Sequence, residues 1–148
     1  MTQKKLQRVD YIVVHCSATP AKMDIGVDDI DRWHREQGFF KVGYHAVIRR
    51  NGKVEWGRAP NEIGAHAYGA NSKSVGICLV GGMDERNKNP EQNYTPEQYV
   101  ALRYAILYFK GLYPSQDCSV IGHRDVKGTN KACPSFDAGE WWRLHASD

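Results

Sequence analysis

Tyr11-Ile12-Val13-Val14-His15 is an almost unbroken apolar run, rich in β-branched residues, in a chain of 148 residues. Such a run reads as a central strand covered on both faces, the situation of parallel strands in layered α/β folds. Working outward, Val27, Ile30 and Trp33 recur at helical spacing with Gly38 as a stop, predicting a helix over 27–37. The segments 44–50 and 53–57 alternate as strands around Asn51-Gly52, a dipeptide that favours tight hairpins because both positions tolerate positive φ. The run 74–80 reads as a second buried strand, and 83–93 as a polar loop. Thr95-Pro96-Glu97-Gln98 is a capping box with proline in the first turn. Behind it, Tyr99, Leu102, Ile106, Phe109 and Tyr113 form one apolar stripe that Pro114 closes. A short strand over 118–122 and a helix over 136–144 complete the order β-α-β-β-β-α-β-α. The expected fold is α/β: a single domain over 1–148, core about 10–142, with a mixed central β-sheet flanked by helices.

Composition bounds the function classes. Hydrophobic residues make up 41% and charged residues 25%, ordinary for a globular domain. The net charge of +3 comes without a basic stripe, so direct nucleic-acid binding is not expected. Mild positive charge suits an anionic polymer equally well. The stretch Met1 to Asp10 is polar, unlike a secretory signal, and no run is long enough to span a membrane. The expectation is a cytoplasmic monomer. Cys16, Cys78, Cys118 and Cys133 show no CxxC pairing and are expected as reduced thiols, with a Cys16–Cys78 bridge left open.

Two histidines end predicted strands, at Val13-Val14-His15 and Val120-Ile121-Gly122-His123, and Cys133 follows ten residues after the second. Imidazole and thiolate are both zinc donors, and three protein ligands leave the fourth position open, as in catalytic rather than structural sites. Two hydrogen-bonded strand-end histidines and a buried thiol would account for the same residues. A cysteine hydrolase built on Cys133 and His123 is a further reading. His123-Arg124-Asp125 with Asn130 matches a protein-kinase catalytic loop, but the glycine-rich loop, strand lysine and DFG segment are missing.

Several separated segments narrow the choice: Val14-His15-Cys16-Ser17-Ala18-Thr19, Val42-Gly43-Tyr44-His45, Ser74-Val75-Gly76-Ile77-Cys78-Leu79-Val80-Gly81-Gly82 and Lys131-Ala132-Cys133-Pro134-Ser135-Phe136-Asp137. In this order they resemble the type 2 N-acetylmuramoyl-L-alanine amidases, which share their fold with the peptidoglycan-recognition proteins. The likeness runs from about Asp10 to Trp142 and takes in Trp33-His34 and Trp141-Trp142. It implies Zn2+ held by His15, His123 and Cys133, with Tyr44 and Lys131 as the catalytic pair. The implied reaction is hydrolysis of the amide between N-acetylmuramic acid and L-alanine in bacterial peptidoglycan, by a phage or prophage endolysin. Such an enzyme reaches the wall once another protein opens the membrane. His66 and Asn71 fall where the family lines its substrate groove. Many relatives carry a glutamate base where this chain has Cys78, which leaves the base unassigned. The same fold also occurs as a non-catalytic peptidoglycan-binding module, and a phage RNA polymerase is a second partner that the resemblance implies.

Overall fold

The computed structural model describes residues 4–148; residues 1–3, the start of the polar N-terminal stretch, lie outside it. The apolar run forms β1 (Tyr11–Cys16), the penultimate strand of a five-stranded sheet. It pairs in parallel with β5 (Ser74–Leu79) on one side and β7 (Ser119–Gly122) on the other. Beyond β5 lie β3 (Ala46–Ile48), parallel to it, and β4 (Val54–Trp56), antiparallel to β3. The sheet is therefore mixed, as expected. Two-residue strands β2 (Thr19–Pro20) and β6 (Gly82–Met83) pair beside it; elements that short carry no readable period. Three α-helices complete the fold: α1 (Val27–Glu36), α2 (Pro96–Leu112) and α3 (Ala138–His145). Among the described residues no helix is long and apolar enough to cross a membrane.

Strand alternation assigns every core residue to one of two faces. Ile12 and Val14 of β1, Val75, Ile77 and Leu79 of β5, and Ile48 of β3 pack against Leu102, Ile106 and Phe109 of α2. Trp141 and Trp142 of α3 pack on the same cluster. The opposite face carries Val47 and Cys78 against Ile30 of α1, and Val13 against Ala67 and Val126. Cys16 belongs to the first face and Cys78 to the second, so the sheet lies between them and the bridge left open above does not form. All four cysteines are free.

Helix α2 starts as its sequence dictates. Thr95 Oγ1 accepts from Gln98 N–H at 3.1 Å, and Gln98 Oε1 accepts from Thr95 N–H at 3.0 Å. The fully buried Gln98 then donates through Nε2 to the carbonyls of Ile48 and Val80, tying the helix start to the ends of β3 and β5. The β3–β4 hairpin differs from expectation. Only Gly52 takes positive φ (+88°); Asn51 does not. Gly52 N–H donates to Arg49 O, and Asn51 Oδ1 accepts from Lys53 N–H at 2.9 Å. The loop is thus a longer turn with one left-handed glycine, because the asparagine side chain takes over a backbone acceptor's work. Strand β3 is also shorter than its pattern. Tyr44 and His45 precede it, and their carbonyls accept from Arg58 and Gly57.

Candidate active site

The register builds the site. Val14 pairs with Gly122, so His15 and His123 leave adjacent parallel strands side by side at their carboxyl ends, where open α/β sheets bind ligands. Their ring centroids lie 4.5 Å apart. His123 opens a short 3₁₀ turn, and Asp125 Oδ2 caps it by accepting from Gly122 N–H at 2.9 Å. That cap is what the kinase-like His-Arg-Asp triplet does here. Arg124 N–H donates to the Cys133 carbonyl at 2.8 Å, which lashes the loop carrying the thiol to the turn carrying the imidazole. Tyr94 O–H holds the following residue by donating to the Pro134 carbonyl at 2.6 Å. The Cys133 Sγ itself accepts from Cys16 N–H at 2.8 Å.

One ligand atom each from His15, His123 and Cys133 lies within 4.8 Å of the other two. A tetrahedral zinc ion with bonds of about 2.0–2.1 Å to nitrogen and 2.3 Å to sulfur needs donor separations of roughly 3.3–3.7 Å. The three donors are within about an ångström of that closure, and their chemistry suits the ion. The residues fit the metal.

Electrostatics keep the imidazoles unprotonated. Burial, and then the neighbouring histidines, hold His15 well below the usual imidazole range. Burial and the charge of Lys131 lower His123. Neutral rings are the form in which histidine binds metals. The side-chain hydrogen bond with the Cys16 thiol, and then burial, push the Cys133 thiol up, while the Cys16 N–H bond works in the other direction. A cation in the pocket works the other way, because it favours the thiolate.

Tyr44 and Lys131 border the same groove of about 330 Å³, together with Trp33, His34, His123 and Cys133. The Tyr44 ring centroid lies 5.0 Å from that of His15. Burial pushes its phenol well above the ordinary range, so it remains a hydroxyl donor at neutral pH. Lys131 is exposed on the rim. His66 and Asn71 lie elsewhere. His66 is only 8% exposed, with Nδ1 2.8 Å from His15 Nε2, and Asn71 Oδ1 accepts from the backbone N–H groups of His66 and Ala67. Sequence reasoning gave no role to Asp31 and expected of His34 only packing or hydrogen bonding rather than metal binding. Asp31 Oδ1 accepts from Val42 N–H and His34 Nδ1 from Gly43 N–H, both at 2.8–2.9 Å, which positions the approach to Tyr44. Their i, i+3 spacing on α1 was the available signal.

Paired imidazoles and a thiol at the carboxyl edge of a mixed sheet make the donor set of a metal site. The family model described as N-acetylmuramoyl-L-alanine amidase matches residues 5–136, and the chain belongs to that family. It is 51% identical over 138 residues to an endolysin of Klebsiella phage KP32, covering 93% of this chain and 88% of the relative. It is 43% identical over 139 residues to the endolysin of Escherichia phage T7, covering 94% and 89%. Among solved structures, the N-acetylmuramoyl-L-alanine amidase LysC from Clostridium intestinale URNW superposes with a TM-score of 0.74. That likeness comes at 27% identity and covers 94% of this chain and 84% of that one.

Proposed function

We propose that this chain is a zinc-dependent phage or prophage endolysin that cuts peptidoglycan between N-acetylmuramic acid and L-alanine. The observation that carries the reading is the convergence of His15, His123 and Cys133 within 4.8 Å at the foot of a groove that Tyr44 and Lys131 border. Zinc bound there would supply Lewis acidity, polarising the scissile carbonyl and acidifying water at neutral pH. The chain's own groups supply the rest. The Tyr44 hydroxyl and the Lys131 ammonium are donors for the negative charge that develops on the carbonyl oxygen. The departing amine also needs a proton, and the Tyr44 hydroxyl is one source of it.

Two competing readings are weaker on specific observations. A cysteine nucleophile needs an imidazole within hydrogen-bond reach of its sulfur, and Cys133 Sγ instead contacts the backbone of Cys16. A binding module that had given up catalysis would not need the thiol donor that Cys133 keeps.

The test is release of peptides from purified cell wall, with and without complete zinc removal. Activity should vanish on chelation and return with zinc; activity that survives would defeat the mechanism. Tyr44→Phe and Lys131→Ala should keep zinc and slow turnover by about 10²–10³-fold each. Full activity in both would remove their assigned roles. The phage RNA polymerase is tested separately by pulldown, and no retention at low salt removes it as a partner.

A further inference from the structure

His66 belongs to neither the ligand set nor the groove wall, yet the fold is shaped around it. A Cβ on Gly76 would come within 2.6 Å of its Cγ, and one on Gly64 within 2.7 Å of its Cδ2. The ring occupies a slot that any side chain at those two positions would fill. Asn71 pins the backbone of the same loop through both His66 N–H and Ala67 N–H.

The hydrogen bonds around the ring have a direction. The Ala70 carbonyl can only accept, so the Ser74 hydroxyl, 2.7 Å away, spends its proton there. Towards His66 Nε2, at 3.4 Å, the same oxygen is therefore the acceptor. His66 then carries its proton on Nε2 and its lone pair on Nδ1. That Nδ1 lies 2.8 Å from His15 Nε2, which must be the donor. A neutral imidazole has one lone pair, so the lone pair of His15 is on Nδ1. His15 is 1% exposed, and no solvent stands ready to replace His66 as the acceptor.

From this chain of donors we infer that His66, oriented by Ser74 and the Ala70 carbonyl, is a positioning residue that fixes the tautomer and ring plane of His15 for metal binding. The inference rests on the zinc reading of the pocket. Metal-bound histidines ordinarily donate their second nitrogen to such an outer partner, whose loss costs about 10–100-fold in metal affinity.

The experiment is a zinc-affinity measurement by competition with a chromophoric chelator, on the full chain and three variants. His66→Phe fills the slot but cannot accept, and should bind zinc about 10–100-fold more weakly. His66→Asn places a carboxamide oxygen near the position of Nδ1 and should recover most of that loss. Ser74→Ala removes only the outer link and should give a smaller loss in the same direction. Wild-type protein that binds no zinc would overturn the metal reading itself, and this inference with it. Wild-type binding with undiminished affinity in His66→Phe and Ser74→Ala would overturn the inference alone. So would a His66→Asn variant as weak as His66→Phe, since packing rather than acceptance would then be at stake. If His66→Phe does not fold, Ser74→Ala decides: weakened binding supports the relay, and unchanged binding overturns it.

Discussion

The two faces of the sheet come from the same strands, one residue out of phase, and they are built for different work. Towards α2 and α3 the strands present Ile12, Val14, Val75, Ile77 and Leu79 to Leu102, Ile106 and Phe109, all fully buried hydrocarbon. The opposite face presents Cys78 to α1 and also carries His15, whose ring meets that of the nearly buried His66. Burying apolar side chains stabilises the fold by about 1.5–3 kcal/mol each. Burying imidazoles does so only if each nitrogen is satisfied, and among the described residues no buried side-chain nitrogen or oxygen lacks a partner. The larger apolar cluster is on one face, and the other adds smaller apolar clusters beside its imidazoles. That second face accepts polar burial because the site needs neutral, fixed histidines.

The apolar face should break first and hardest in stability. Phe109→Ala should cost about 3–5 kcal/mol in urea unfolding, by loss of buried area and a residual cavity. Zinc bound per folded molecule should not change. A variant that keeps its stability but loses zinc would mean that the two faces are not separable.

The polar face should reveal itself through pH, with a smaller effect. Burial brings His45 down to about 4 from the ordinary 6.5, against a partly opposing hydrogen bond to the Glu62 carbonyl. Its Nδ1 also accepts from Gly76 N–H, a contact that protonation would break. The unfolded chain thus binds the proton first. Stability from His45 is complete above about pH 6.5 and is lost as pH falls towards 4, at about 1.4 kcal/mol per pH unit. His15, His34, His66 and His123 are lowered as well and add to the slope, so His45's share is the difference in pH dependence of unfolding between the zinc-free wild type and zinc-free His45→Gln. No difference between the two profiles would show that His45 titrates normally in the fold.

Much of the apolar face was legible because periodicity encodes it. The β1 run, the capping box at Thr95 and the stripe from Leu102 to Phe109 each appear where their patterns placed them. Small elements were not legible: β2 and β6 are too short for a period, and the Asn51-Gly52 turn depends on a side chain replacing a backbone acceptor. The site was legible in another way. Spacing alone could not join His15 to Cys133 across more than a hundred residues; separated motifs in a familiar order could. What stayed hidden was the support. The parts of His66 and Asn71 rest on which ring nitrogen or amide oxygen faces which partner, and no sequence pattern carries that information; Asp31 and His34 left only their i, i+3 spacing on α1 as a trace.

X-ray absorption at the zinc edge of the purified protein reads the pocket directly. The account predicts one zinc per chain, one sulfur at about 2.3 Å, two imidazole nitrogens at about 2.0–2.1 Å and one light atom from solvent. In Cys133→Ala the sulfur shell should vanish along with most of the metal. A second sulfur or a third imidazole closing the shell, or zinc retained unchanged in that variant, would contradict it.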